Sequence, residues 1–198
     1  MTGKPFRLVA LAATGVLGLL ACGAGGADDS SPKTYRAEAS LPKGWPTPGP
    51  FDQVVEKTFP AYKVAETKSG SANFAFWRLF KHIKSNDIPM TAPVTMAMDS
   101  EEKDSFKMEA MGFVYPSIET ASPNIDPKVK VAAVPARKSL VYAWIGPRTD
   151  KKVAQARAAL DQKLAAEKKT ASQFILLGYN GPSVPKNART HELQAILD

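Results

Sequence analysis

The chain has 198 residues, 44% of them hydrophobic and 23% charged. These proportions belong to a folded globular domain and exclude a disordered, collagen-like or coiled-coil chain. The net charge of +7 comes from 26 basic and 19 acidic side chains. That excess is mild and scattered. It suits an anionic ligand or a membrane surface, and without a nucleic-acid motif it gives no reason to expect a nucleic-acid partner. One cysteine excludes an internal disulfide and a multi-cysteine metal site.

Residues 1–21 read as an export signal. Lys4 and Arg7 give a charged start, and Leu8–Leu20 is an apolar run too short to span a bilayer. It ends in Leu19-Leu20-Ala21-Cys22, which resembles the bacterial lipobox. That resemblance implies cleavage before Cys22 and lipidation of its sulfur. Acyl chains contribute about 0.8 kcal/mol per buried methylene and hold a soluble domain at a membrane. An ordinary signal peptide with a chance cysteine is the plainer alternative. Gly23 is not the Asp that marks inner-membrane retention in enteric bacteria, so the expected location is the cell envelope, anchored to the outer membrane and facing the periplasm. Residues 22–50 read as a tether, first small and polar, then rich in Pro42, Pro46, Pro48 and Pro50.

The folded domain is expected over residues 51–198. Val54–Thr67 is strand-like, Ser71–Ser85 helical, and Pro89–Asp99 and Ser105–Pro116 are strand candidates. The order then repeats. Val129–Pro135 and Ser139–Gly146 read as strands, Thr149–Lys169 as a helix capped by Thr149, and Gln173–Tyr179 and Glu192–Leu197 as strands. Met90, Ala92, Val94, Met96 and Met98 alternate onto one face. A change of parity between Met108 and Met111 calls for a bulge near Ala110–Gly112. Pro93 lacks a backbone donor and should sit at an edge or bulge. The methionines read as adaptable core filler rather than iron ligands.

The two helices differ. In the second, Val153, Ala156, Leu160 and Leu164 form one apolar stripe, as a sheet-covering helix needs. In the first, Phe76, Leu79, Phe80 and Ile83 already make a core stripe. Phe74 and Trp77 lie on the other side with Arg78, Lys81 and His82. Large rings among cations suit a flat, apolar, anionic ligand, the rings supplying area and the cations pairing carboxylates. In the alternative reading, the rings pack against a loop and the cations are simply solvated.

Three stretches carry a resemblance. They are Phe76-Trp77-Arg78-Leu79-Phe80-Lys81-His82-Ile83 with Met90-Thr91-Ala92-Pro93-Val94, Gly178-Tyr179-Asn180-Gly181-Pro182, and Arg189-Thr190-His191-Glu192-Leu193. Together they resemble the SOUL haem-binding protein family over about residues 51–197. The resemblance implies an α+β fold, a distorted antiparallel β-barrel of two βαββ-like repeats with two flanking helices. It implies non-covalent, reversible binding of haem or another porphyrin, no catalysis, and a pocket between the first helix and the last hairpin loop. Carried over, the haem-binding candidates are Phe74, Trp77, Arg78, Lys81, His82 and His191. Some members carry an axial histidine in the first strand, where this chain has Lys57 or Thr58. His82 and His191 stand where the family has Tyr and Asn, and both are candidate iron ligands because a neutral imidazole suits haem iron. A monomer is expected.

Two other functions stay open. One is a small-molecule hydrolase of the effector-binding-domain kind, although there is no Gly-x-Ser-x-Gly elbow and Glu109 and Glu192 are the carboxylates to examine. The other is a structural envelope protein without a ligand.

Overall fold

In the computed structural model, residues 33–68, 71–99, 106–123 and 126–198 are described. The export signal and Cys22 lie outside them. Among the described residues the strands and α-helices in chain order are β1 (Val54–Phe59), β2 (Tyr62–Lys68), α1 (Ala72–Ser85), β3 (Val94–Met98), β4 (Met108–Val114), β5 (Lys130–Val134), β6 (Arg137–Ile145), α2 (Asp150–Glu167), β7 (Ala171–Gly178) and β8 (Thr190–Leu197), with a short 3₁₀ helix at Lys186–Ala188 before β8. The expected first strand is thus two strands, broken at Pro60-Ala61, where proline withdraws a donor. Each half reads ββαββ.

All eight strands join one antiparallel sheet in the order β1-β6-β8-β7-β3-β4-β2-β5. The order is symmetric about the β7–β3 junction. The first strand of each half pairs with the second strand of the other: β1 with β6, and β5 with β2. The duplication expected from element order is therefore present, and the sheet curls into the expected barrel-like form, as an open half-barrel with flanking helices. The register shift falls at Met98–Met108, so the extra residue of the bulge is Glu109, just before the expected position. Pro93 precedes β3, where no ladder bond is lost.

Alternation along the strands feeds two cores. Met96, Met111, Phe113, Leu140, Trp144, Leu176 and Leu193 face the helices, and Val64, Val114, Val141, Ile175, Leu177 and Ile196 face the other way. α2 buries Val153, Ala156, Arg157, Leu160 and Leu164, the expected stripe with one added cation. Arg157 lies over the Phe174 ring at 3.5 Å and pairs with Asp161, so its stem is covered while its charge is met. Close approach at the middle of β4 demands glycine. A Cβ at Gly112 would stand 2.5 Å from Thr95 Oγ1 and 2.9 Å from Val64 Cγ2.

The second core is closed by a segment expected to be an extended, semi-rigid tether. Residues 33–50 lie against the sheet as a strap. Trp45 is 6% exposed and meets Phe59 and Tyr62 edge-on at 5.0 and 5.2 Å. Lys43 N–H donates to the Pro116 carbonyl, and Ala92 N–H to the Ser40 carbonyl. Proline content signals extension, and this extended chain is packed because one large aromatic anchors it.

Two outcomes are expected. Gly112→Ala should lower stability by about 2 kcal/mol through overpacking, read as a drop in melting temperature. Trp45→Ala should cost about 3–5 kcal/mol in a denaturant titration, whereas the same change in a free tether would leave the midpoint where it was.

Candidate functional site

α1 meets the sheet through Ala75, Leu79, His82 and Ile83, an i, i+4, i+7, i+8 stripe. The expected stripe shared Leu79 and Ile83 with it, but Phe76 and Phe80 are only half-buried on its flank. The small Ala75 lets the helix sit close, and this rotation decides what faces outward. Phe74 is 73% exposed and Trp77 63% exposed.

The helix has two different edges. Toward β2, Arg78 Nη1 donates to Thr67 Oγ1 at 3.2 Å. Toward β4, Phe76 meets Phe113 edge-on at 5.2 Å and stacks on Phe80, while Trp77 stands perpendicular to both rings. Lys81 and Lys84 are exposed, and the Lys84 ammonium lies 5.7 Å from the Phe80 ring centre. Phe76, Trp77 and Phe80 thus form an apolar wall flanked by cations, while Phe74 stands exposed one row over, in line with Arg78.

The wall overlooks a floor. α1 packs on β2 and β4, and α2 on β1, β6 and β8, with β3 and β7 between them in the sheet order. A single register row crosses the sheet there: Phe113, Val94, Gly178, His191 and Trp144. Directly paired residues share a face. Val94 and Gly178 occupy the two central strands yet remain half-exposed. From Phe113 to His191 is three strand spacings, about 14 Å.

The two histidines correct the expected placement. His82 is not on the outer row with Phe74 and Arg78. It is 2% exposed, faces the sheet, and its Nε2 is 2.7 Å from the Tyr115 hydroxyl. Asn86 Nδ2 donates to its carbonyl. A polar ring reaches the core because Tyr115, itself buried, satisfies it. His191 is 6% exposed and lies against Trp144 with ring centres 5.3 Å apart. Neither of its ring nitrogens meets a hydrogen-bond partner. Burial holds its pKa at about 4, helped by Arg148 and Arg189; the Gly146 carbonyl pulls the other way without reaching bonding geometry.

The hairpin loop after β7 turns to the strap for its hydrogen bonds. Gly181 N–H donates to Glu38 Oε2, and Asn180 Nδ2 to the Arg36 carbonyl. Nearby, Glu192 is buried on the strap side of the sheet. It accepts from Lys57 Nζ at 2.5 Å, Gly49 N–H at 3.0 Å and Tyr179 Oη at 2.7 Å. Trp45 Nε1 in turn donates to Tyr179 Oη. Burial and the Glu192 charge raise the Tyr179 pKa and keep it a donor. Lys57, one of the two residues expected to stand near the family's axial-histidine position, is therefore half of a buried ion pair. The same pair commits Glu192 to clasping the strap, whereas Glu109 is exposed. Two open hollows lie elsewhere: one of about 600 Å³ lined by Lys33, Tyr35, Thr47 and Phe51, and one of about 610 Å³ lined by Arg137, Lys138, Lys169 and Asp198.

The family profile described as SOUL heme-binding protein matches residues 51–196. The chain belongs to the SOUL family. Strands, helices and floor all fall within the match; the strap precedes it. No curated protein matches the chain. Among solved structures it is similar to the EcmrR C-terminal domain, at 14% identity and TM-score 0.59, covering 74% of this chain and 97% of that one. It is also similar to a hydrolase from Listeria innocua, at 10% identity and TM-score 0.52, covering 76% and 94%. At such identities the likeness is one of fold.

The residues fit the porphyrin that the family description implies. A ring wall, a half-open apolar floor and flanking cations match a planar macrocycle bearing carboxylates. As iron ligands the histidines differ. Tyr115 engages His82 Nε2, while His191 keeps both nitrogens uncommitted beneath the surface.

The depressed His191 pKa has a consequence for stability. Above pH 6.5 the imidazole is neutral in folded and unfolded chains. Below it the unfolded chain binds a proton that the folded one refuses, so stability falls as pH drops from 6.5 toward about 4. The loss is on the order of 3 kcal/mol. Urea titrations across that window should show it, and His191→Asn should flatten it.

Proposed function

We propose that this protein is a lipid-anchored, envelope-side carrier that binds haem or a related tetrapyrrole reversibly, against the aromatic edge of α1. The carrying observation is the pair Phe74 and Trp77, 73% and 63% exposed on a helix whose core contacts are already made. Family membership supports the ligand class. The sequence of residues 1–22 supports the anchor.

Apolar contact supplies the driving force. A few hundred Å² of macrocycle at about 25 cal/mol/Å² gives ample gross stabilisation, and association costs remove much of it. An open wall rather than a closed cavity favours rapid release, which a carrier needs. Lys81 and Lys84 give the exposed side of α1 a positive charge that suits an anionic ligand. The protein works as a monomeric binding module, without catalysis.

Titrating the full-length chain with haemin tests this. A shifted Soret band and quenched tryptophan emission are expected at micromolar haemin. Trp77→Ala and Phe74→Ala should each weaken binding about tenfold, the size of a lost aromatic contact. His82→Ala should lower stability and leave the Soret position unchanged. Unaltered absorption and emission at saturating haemin would contradict the reading.

A further inference from the structure

At the far end of the register row from α1 lies a group of donors that nothing in the fold explains. Trp144 is fully buried, and its indole Nε1–H has no acceptor. His191, beside it, has the Gly146 backbone near its ring but makes no hydrogen bond of normal geometry from either nitrogen. Buried polar atoms of this kind are rare, because each unmade bond costs roughly 1–3 kcal/mol. Two of them 5.3 Å apart, ring centre to ring centre, on paired positions of β6 and β8 form a cluster on one face rather than isolated lapses.

A cation completes the cluster. Arg148 follows β6 by three residues and is open to solvent. Its guanidinium lies 4.6 Å from the Phe106 ring centre, and Nη1 approaches Met96 Sδ at 2.8 Å. A thioether is a poor acceptor for a fork of five N–H donors. Among the described residues Arg148 makes no ion pair. Met96 belongs to the central strand β3, two residues along the same face from Val94. Arg148 therefore reaches over the floor between the helices, and its charge is felt at His191. The cluster presents an indole N–H, an imidazole N–H and a guanidinium; the Asp150 carboxylate acts on the guanidinium electrostatically but forms no ion pair with it, so its N–H donors stay available.

We propose that Trp144, His191 and Arg148 form an anion subsite that receives one carboxylate of the ligand lying on the floor between α1 and α2. Arg148 supplies the charge and the solvent-side entrance. Trp144 and His191 donate from below. The aromatic edge of α1 and this subsite stand at opposite ends of the same row, about 14–19 Å apart by strand spacing. One ligand, flat at one end and acidic at the other, spans them. This inference rests on the tetrapyrrole reading above and adds which of its groups is recognised and where.

The subsite is tested separately from the wall. In the full-length chain, nitrogen-15-labelled, sodium propionate is the probe. The Trp144 indole and His191 ring resonances should shift saturably, and Arg148→Gln should abolish the shift. Haemin and its dimethyl ester form the second arm. Arg148→Gln should weaken haemin binding at least about tenfold, the worth of a charge-assisted hydrogen bond, and should bind the ester as the unaltered chain does. Resonances that ignore propionate would overturn the subsite and assign its open donors to buried water. An equal loss of haemin and ester with His191→Asn, with a moved Soret band, would overturn it in favour of iron ligation. If haemin fails to bind at all, the tetrapyrrole reading falls and the propionate arm still decides the subsite.

Discussion

Ala75 touches the sheet with a single methyl group, and Leu79, His82 and Ile83 follow it along the same side of α1. That stripe fixes the rotation of the helix. Once it is fixed, Phe76 and Phe80 have no choice but the flank, and Phe74 and Trp77 turn outward. Rotating the helix to bury those rings would expose Leu79 and remove His82 from Tyr115. The core contacts and the outward rings are thus one constraint seen from two sides. Large exposed rings are uncommon on a folded surface unless something binds there.

The opposite face of the sheet obeys a different constraint. Glu192 carries a charge away from water, and a buried charge needs a partner and hydrogen bonds. Lys57, Gly49 and Tyr179 provide them. Two of those three come from β1 and from the turn after β7; the third comes from the strap. The ion pair and the Trp45 anchor therefore act together to close the second core. The family match begins at residue 51, so the strap lies ahead of the matched region. With that face covered, the floor between the helices is the half-open region that the shared elements themselves build.

Much of this was legible in the residues. The α2 stripe, the alternation of β3 and the paired order of elements follow from periodicity, which records burial directly. Phe74 and Trp77 stood out as surplus apolar area because Leu79 and Ile83 already supplied a core. His82 was misplaced because its burial depends on Tyr115, thirty-three positions away, and no local pattern encodes that partner. The strap reads as a tether in sequence because proline composition reports backbone extension and is silent about packing. Trp144 and Arg148 carry no local sequence signal of a site. A tryptophan in a buried strand reads as core, and its unpaired N–H exists only once β6 and β8 are brought together.

Where a bound macrocycle touches the protein decides whether the aromatic edge of α1 is its site. Haemin iron is paramagnetic and broadens nearby amide resonances, so a heteronuclear spectrum of the full-length chain with substoichiometric haemin maps the contact. Selective loss of signal at residues 74–81, Val94 and Gly178 is the predicted result. Losses centred on the strap hollow around Tyr35 and Phe51, or spread evenly over the chain, would contradict it.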